Sequence, residues 1–202
     1  DAPEVAPGLE GHPQHGRAAR LPPALRGERR GAAAGGRHPV DREGRVVACC
    51  HGDRCLKRLE TDGTLTVLVD RFEGQRLNSP NDLIYHSNGD LYFTDPPYGL
   101  PQGENDPGRE LAWFGVYRLG TDGKVTLLTK EFQRPNGIVF SPDEKTLYVS
   151  QSGSAFPHWR AFAVNHDGTL GDGRVFFDPA AWVQEQRPGS PDGMTVDEQG
   201  NV

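Results

Sequence analysis

The chain has 202 residues, enough for one sizeable hydrophobic core, and carries a formal net charge of −6 at pH 7. An acidic balance argues against a protein that binds nucleic acid by neutralising its phosphates. Only 35% of the residues are hydrophobic, and 26 Gly and 17 Pro predict many turns and few long helices. No run of about 18 apolar residues is present, so the sequence predicts neither a transmembrane helix nor a membrane partner.

Residues 1–40 differ in composition from the rest of the chain. They contain six Arg among many Ala, Gly and Pro, and they show neither strand nor helix periodicity. We expect either a disordered tail or a segment that is not the native N-terminus, for example because of a reading-frame error. No apolar signal-peptide core is visible, so the sequence predicts a cytoplasmic protein, with the periplasm as the alternative if a native signal peptide is missing.

The chain has three cysteines, Cys49, Cys50 and Cys55, which lie close together. Their odd number argues against a disulfide framework and favours a reducing compartment. With His51 among them a zinc site is an alternative, but the spacing matches no usual ligand pattern. We therefore interpret His51 as a packed or surface residue rather than a ligand.

From Asp41 onward, short apolar runs alternate with tight polar turns. Thr-Asp-Gly lies between two β-rich runs at residues 61–63 and again at 121–123, and His-Asp-Gly takes its place at 166–168. An Asp-Gly turn between two such runs is typical of a β-hairpin. The sequence therefore predicts a series of hairpins rather than helices.

A longer repeat begins at each of three Pro-Asn/Asp triplets, which start at Pro80, Pro135 and Pro191 and are 55 and 56 positions apart. In the first full repeat we expect strands at 83–86, 91–94, 116–119 and 125–128. Four short strands in a repeat of this length predict an all-β chain of the β-propeller class. A solenoid of strands and helices is the alternative, but no segment has a convincing helical period.

The repeats predict about three blades: a partial one over 41–79, complete ones over 80–134 and 135–190, and the start of another. A propeller needs about four to eight blades to close. We therefore expect residues 41–202 to form a partial propeller and the chain to be a fragment of a larger protein. The stretch 99–113 is expected to be an insertion on a binding face.

Each triplet places a short polar side chain at the start of a blade, namely Asn81, Asn136 and Asp192. Because the first strand of a blade lines the central channel, we expect these side chains to converge at one end of it. Two carboxamides and a carboxylate would make an oxygen site that suits Ca²⁺ or Mg²⁺. The alternative is that Asn and Asp are good turn formers before strands.

The motifs NSPNDLIY, GDLYFTDPPYGL, GVYRL, RPNGIVFSPDEKTLYVS and SPDGMTVDEQGNV resemble those of the gluconolactonase family, also called the SMP-30/regucalcin-like family. The resemblance covers residues 41–202 and is strongest over 76–202. It implies a six-bladed β-propeller with a divalent metal ion at the mouth of its axis. It also implies hydrolysis of sugar lactones or other lactones.

The resemblance further implies roles for individual residues. Asn136 and Asp192 match metal-ligand positions, and Asp192 is also the candidate general base. Asn81 matches a position that contacts the substrate or a metal-bound water, and Asp95 one that binds metal in some lactonase branches. The expected cofactor is one divalent ion, with Ca²⁺ preferred over Zn²⁺, Mg²⁺ and Mn²⁺. We interpret Tyr98 as part of a lid over the sugar, with a structural turn as an equal alternative.

These residue types suit lactone hydrolysis. A divalent cation polarises the carbonyl and lowers the pKa of water, and a carboxylate within hydrogen-bond reach takes the proton. The predicted activity is metal-dependent hydrolysis of a sugar lactone to its aldonic acid, with a small-molecule substrate. The alternative is a non-catalytic propeller that binds Ca²⁺ or another ligand.

The N-terminal part departs from the family pattern. The resemblance implies a metal-ligand Glu in an E-G-P context in the first blade, whereas here Glu10-Gly11 is followed by His12. Together with the missing blades, this departure raises the alternative that the fragment is inactive.

Overall fold

A computed structural model of the chain describes residues 40–153 and 157–202. The predicted N-terminal segment, except for Val40, lies outside the described residues. The strands form antiparallel sheets in which each strand pairs with the next one along the chain. Their order confirms the expected all-β, partial β-propeller architecture, and a short α-helix, α1, follows the last strand at Ala180–Gln184.

The first sheet has three strands: β1 at Val47–Cys50, β2 at Cys55–Leu59 and β3 at Leu65–Val69. A small hairpin follows, with β4 at Arg71–Phe72 and β5 at Gln75–Arg76. The second sheet contains β6 at Leu83–Tyr85, β7 at Leu91–Asp95, β8 at Phe114–Leu119 and β9 at Val125–Phe132. The third contains β10 at Pro135–Phe140, β11 at Thr146–Gln151, β12 at His158–Val164 and β13 at Leu170–Phe177.

The Asp-Gly turns have the same geometry in all three sheets. Gly63, Gly123 and Gly168 have φ values of +85°, +80° and +79°, which only glycine reaches without strain. The preceding Asp side chain accepts a hydrogen bond from the N–H two residues on, at 2.9 Å from Thr64 and at 3.0 Å from Lys124. These observed turns therefore confirm the hairpins that the sequence predicted.

Strand alternation places side chains of the second sheet in two different cores. Phe93 points toward the first sheet, and on that face its ring stacks on Tyr117 of β8 with 5.3 Å between centroids. Its neighbour Tyr92 points toward the third sheet and meets Phe140 edge-on at 4.9 Å. Both faces of the second sheet are therefore buried, as expected of a blade between two others.

The far face of the third sheet carries exposed aromatic side chains. Phe177 contacts Trp159 on β12 at 5.2 Å and Trp182 on α1 at 5.0 Å, and Phe176 contacts Tyr148 at 4.8 Å between ring centroids. Phe176, Phe177 and Trp182 all lie on the surface. No helix within residues 40–153 and 157–202 is long and apolar enough to cross a membrane.

Candidate functional site

Two of the predicted site residues are in direct contact. The Asn81 side chain precedes β6, the Asn136 side chain lies near the start of β10, and both are buried. The Nδ2 atom of Asn81 donates to Oδ1 of Asn136 over 2.7 Å. The triplets of the second and third sheets therefore bring their carboxamides together, across 55 positions of sequence.

Buried cross-sheet hydrogen bonds fix this contact. The Thr94 hydroxyl, at the end of β7, donates to the backbone oxygen of Asn136 over 2.8 Å. The Asp82 carboxylate accepts from the backbone N–H of Ile138 over 3.1 Å. Each bond joins the second sheet to the start of β10, and both side chains are almost fully buried. The loop before β6 and the start of β10, which carry the two carboxamides, are consequently held together.

Asp192, the third predicted residue, lies in a segment without regular secondary structure after α1 and is exposed. Its backbone oxygen accepts from the Ser150 hydroxyl over 2.9 Å, and the oxygen of Pro191 accepts from the Ser152 hydroxyl. The N–H of Gly193 donates to its carboxylate over 2.9 Å. The end of β11 thus positions the backbone of Asp192, and the carboxylate faces solvent.

Close packing also places this segment. A side chain at Gly137 would bring its Cβ to 2.9 Å from the Gly193 Cα and 3.0 Å from the Met194 nitrogen, and against the Asp192 oxygen. These are backbone atoms, which do not swing away as a flexible side chain does. The glycine in the second triplet therefore allows the third triplet to lie directly against it.

Tyr98 lies beside the Asn pair in the long connection between β7 and β8. Its hydroxyl donates to the Arg134 oxygen over 3.2 Å and accepts from Asn136 Nδ2 over 3.4 Å. Burial raises the pKa of Tyr98, and the nearby charge of Asp192 raises it further. The hydrogen bond with Asn136 places Tyr98 at the rim of the site.

Two arginines anchor this connection over the site. Arg54 donates to the Leu77 oxygen over 2.6 Å and to the Gly108 oxygen over 2.8 Å. Arg134, next to β10, pairs with Glu104 at 2.6 Å. The connection therefore borders the candidate site, while its role as a binding face and the lid role of Tyr98 stay predictions.

His51 also belongs to the site, although it was expected to be a packed or surface residue. It lies in the turn between β1 and β2, and its Nε2 is 3.2 Å from Asn81 Oδ1. Burial lowers the pKa of His51, and the hydrogen bond to Asn81 partly opposes this shift. A Cβ at Gly99 would be 2.7 Å from the His51 Cβ, so glycine allows the β7–β8 connection to pack on it.

The place of His51 in the site could have been predicted from its position within its blade. His51, Tyr98 and Ser152 lie in equivalent connections, after β1, β7 and β11, and all three contact the Asn pair. Because equivalent connections of successive blades lie at the same end of a propeller, a residue in the first one is expected near those in the next two.

Asp95 has a different environment from the other predicted ligands. Its fully buried carboxylate accepts from the backbone N–H groups of Asn78 and Ser79 over 2.8 Å and 2.7 Å, and from Asn78 Nδ2 over 3.0 Å. Burial raises its pKa to about 7 despite these hydrogen bonds. In the described residues it shares no hydrogen bond with Asn81, Asn136 or Asp192, and its metal role stays a prediction.

The donor atoms determine which metal would suit the site. Within 40–153 and 157–202, no three His, Cys, Asp or Glu side chains form a group that would hold a metal ion. That finding gives the zinc alternative no support, and burial raises the pKa of the Cys49 thiol far above its usual range. Asn81, Asn136 and Asp192 instead offer amide and carboxylate oxygens, a donor set that fits Ca²⁺ or Mg²⁺.

Comparisons with known proteins give the family. Residues 19–202 match the family described as SMP-30/Gluconolactonase/LRE-like region. The chain belongs to this family. A gluconolactonase from Zymomonas mobilis is 36% identical over 166 residues, which are 81% of this chain and 46% of that protein. A pentonolactonase from Haloferax volcanii is 26% identical over 159 residues, 71% of this chain and 49% of that protein.

Solved structures of family members have the same fold. A gluconolactonase from Xanthomonas campestris is 43% identical with a TM-score of 0.67, over 80% of this chain and 52% of that one. A calcium-binding regucalcin from Agrobacterium tumefaciens is 23% identical with a TM-score of 0.59, over 80% and 49%, and supports the fold alone. The chain spans about half the length of the curated relatives it matches.

Proposed function

We propose that the protein hydrolyses a sugar lactone of the gluconolactone type to its aldonic acid, with the help of a divalent cation. The contact between Asn81 and Asn136, with Asp192 held beside them by Ser150, carries this proposal. The three side chains offer two amide oxygens and one carboxylate as possible ligands. Membership of a family with named gluconolactonases supports the choice of substrate.

Asn136 and Asp192 would hold the cation, and Asn81 completes the oxygen-rich wall. When bound, the cation supplies Lewis-acid polarisation of the lactone carbonyl and lowers the pKa of water. Ca²⁺ is the preferred ion, because all three side chains offer hard oxygen donors. The two amides are neutral, so the protein cancels only part of the cation's charge.

Asp192 has a second role as general base. Its carboxylate is exposed, so a water molecule has direct access to it. The Gly193 N–H donates to only one of its two oxygens, so the carboxylate can still accept a proton. Asn81 and Tyr98 lie on the substrate side. The Tyr98 ring is 36% exposed and its hydroxyl lies at the Asn pair, where it can hydrogen-bond to a sugar hydroxyl.

The second candidate is a non-catalytic propeller that binds Ca²⁺ or another ligand through the same loops. The exposure of the Asp192 carboxylate favours it, because general bases commonly lie in sites that exclude bulk water. In that protein Asp192 would supply only charge and oxygen donors. The two candidates differ in whether Asp192 must accept a proton.

Replacement of Asp192 by Asn separates the two candidates. Asn keeps an oxygen ligand but cannot act as base, so we expect kcat for lactone hydrolysis to fall by about 10²–10⁴-fold. The melting temperature is expected to stay unchanged, because the side chain is exposed. Initial rates on a panel of sugar lactones with Ca²⁺ measure the effect. Asp172→Asn, at an exposed position of β13, is the matched control.

Two results would contradict this proposal, the first in its mechanism and the second in its activity. Hydrolysis at the wild-type rate by Asp192→Asn would remove the base from the mechanism. Absence of cation-stimulated hydrolysis by the wild-type protein across the panel, together with calorimetric binding of Ca²⁺, would favour the binding propeller.

A further inference from the structure

The candidate site contains a chain of hydrogen bonds that crosses all three sheets. It starts at His51, whose Nε2 is 3.2 Å from Asn81 Oδ1. Asn81 Nδ2 then donates to Asn136 Oδ1, and Asn136 Nδ2 donates to the Ser152 hydroxyl, each over 2.7 Å. The Ser152 hydroxyl donates to the backbone oxygen of Pro191, next to Asp192.

Which group donates in each of these hydrogen bonds follows from the last acceptor, the Pro191 oxygen. The Pro191 oxygen can only accept, so the Ser152 hydroxyl donates to it and accepts from Asn136. The group of Asn136 at Ser152 is then the amide NH₂, which leaves its oxygen toward Asn81. The same reasoning turns the Asn81 NH₂ toward Asn136 and the Asn81 oxygen toward His51. Only an N–H on Nε2 of His51 completes the chain.

We propose that His51 is a positioning residue whose Nε2–H fixes the amide orientation of Asn81, and through it that of Asn136. Without a fixed donor at one end and a fixed acceptor at the other, both carboxamides could rotate by half a turn and exchange the positions of their oxygen and NH₂ group. A cation is repelled by NH₂ and attracted by the oxygen. The consequence for cation binding rests on the proposed function, whereas the ring tautomer of His51 does not.

The surroundings of His51 suit this role. Its ring is half-buried, and the β7–β8 connection packs against its Cβ at Gly99. A neutral imidazole carries a proton on one nitrogen only. A neutral ring with its proton on Nε2 leaves Asn81 a single compatible orientation. His51 thus supplies the fixed donor at the start of the chain, and Pro191 the fixed acceptor at its end.

The tautomer is measured directly on protein labelled with ¹⁵N-histidine. Long-range ¹H–¹⁵N correlation spectra at neutral pH are expected to show His51 as the Nε2–H tautomer. His166, which is exposed in the turn after β12, serves as the reference for a ring in water. A His51 ring with its proton on Nδ1 would overturn the proposal, whatever the outcome of the lactonase assay.

Calorimetric titration with Ca²⁺ measures the consequence. His51→Phe keeps the ring volume and removes the donor, so the affinity is expected to fall by about 10–100-fold. His51→Gln places a side-chain N–H close to the former Nε2 and is expected to restore most of it. His166→Phe is the matched control. Wild-type affinity in His51→Phe would overturn the proposal.

A second variant acts at the other end of the chain. Ser152→Ala removes the link to Pro191 without a change near His51, so it keeps the test valid even if His51→Phe fails to fold. We expect a similar loss of Ca²⁺ affinity, and unchanged affinity would contradict the chain. If the wild-type protein binds no cation, the proposed function fails, and the His51 tautomer still decides whether the hydrogen-bond chain exists.

Discussion

The two halves of the candidate site are held in different ways. Asn81 and Asn136, the amide half, are buried and joined by their own side chains. Asp192, the carboxylate half, is exposed, and the sheet holds its backbone through Ser150 and the close approach of Gly137. The amide half is therefore fixed before any ligand arrives. The carboxylate half keeps freedom of its side chain, because the sheet contacts it through its backbone.

The largest effect is expected from Asp95, whose hydrogen bonds hold the loop at Asn78 and Ser79, just before Asn81. Asp95→Ala would leave the N–H groups of Asn78 and Ser79 without their buried acceptor. We expect a loss of about 3–4 kcal/mol in the free energy of unfolding, because several buried donors lose their partner at once. Urea denaturation measures it. If Asp95→Ala lost less free energy of unfolding than the exposed Asp172→Ala control, the loop would not depend on Asp95.

The same residue predicts a dependence of stability on pH. Burial raises the Asp95 pKa from its usual 3.8 to about 7, so the folded protein binds this proton more tightly than the unfolded chain. Stability should therefore fall as the pH rises from about 4 to about 7, by about 2–4 kcal/mol from this group. Denaturation with a chelator present at several pH values tests it. In Asp95→Asn the corresponding slope should disappear, and an unchanged slope would assign it elsewhere.

Gly137→Ala should act chiefly on the carboxylate half. The added Cβ would press on backbone atoms of Asp192, Gly193 and Met194, so the segment must move. Overpacking of this kind costs about 1–3 kcal/mol, and displacement of the base should lower kcat while the Asn81–Asn136 contact persists. Melting curves and lactone hydrolysis measure both effects. Gly171→Ala, where the nearest atom would be at an ordinary 3.6 Å, is the steric control.

The smallest effect is expected from Ser150→Ala. The Ser150 hydroxyl accepts from the Gly137 N–H over 2.7 Å and donates to the Asp192 oxygen over 2.9 Å. Loss of both bonds should cost about 1–2 kcal/mol and loosen Asp192. A Ser150→Thr variant, which keeps the hydroxyl, should retain more activity than Ser150→Ala. Equal activities of the two variants would show that the Ser150 hydroxyl does not support the carboxylate half.

The repeat predicted the fold well because each blade carries its own turn and strand signals. Predicted strands at 83–86, 91–94, 116–119 and 125–128 match β6 to β9, although β9 continues to Phe132. The triplets likewise indicated which loops approach one another. These features depend on local sequence, and backbone pairing follows from them.

The side-chain partners were harder to predict, because they join residues from different blades. His51 had no motif of its own, and its contact with Asn81 depends on how the first sheet packs beside the second. Asp95 shares a strand face with Leu91 and Phe93, which are in the core, and this alternation could have predicted its burial. Its hydrogen bonds to Asn78 and Ser79 depend on the loop path, which the motif does not specify.

The arrangement of the site across blades has a consequence for folding kinetics. His51 and Asn81 are separated by 30 positions, Asn81 and Asn136 by 55, and Ser150 and Asp192 by 42. Contacts over such separations form late, because the intervening chain must first be ordered. A hairpin or an isolated blade would therefore have the strands but not the site. Binding competence should arise only when the third blade docks, and it should be the first property lost when any one blade opens.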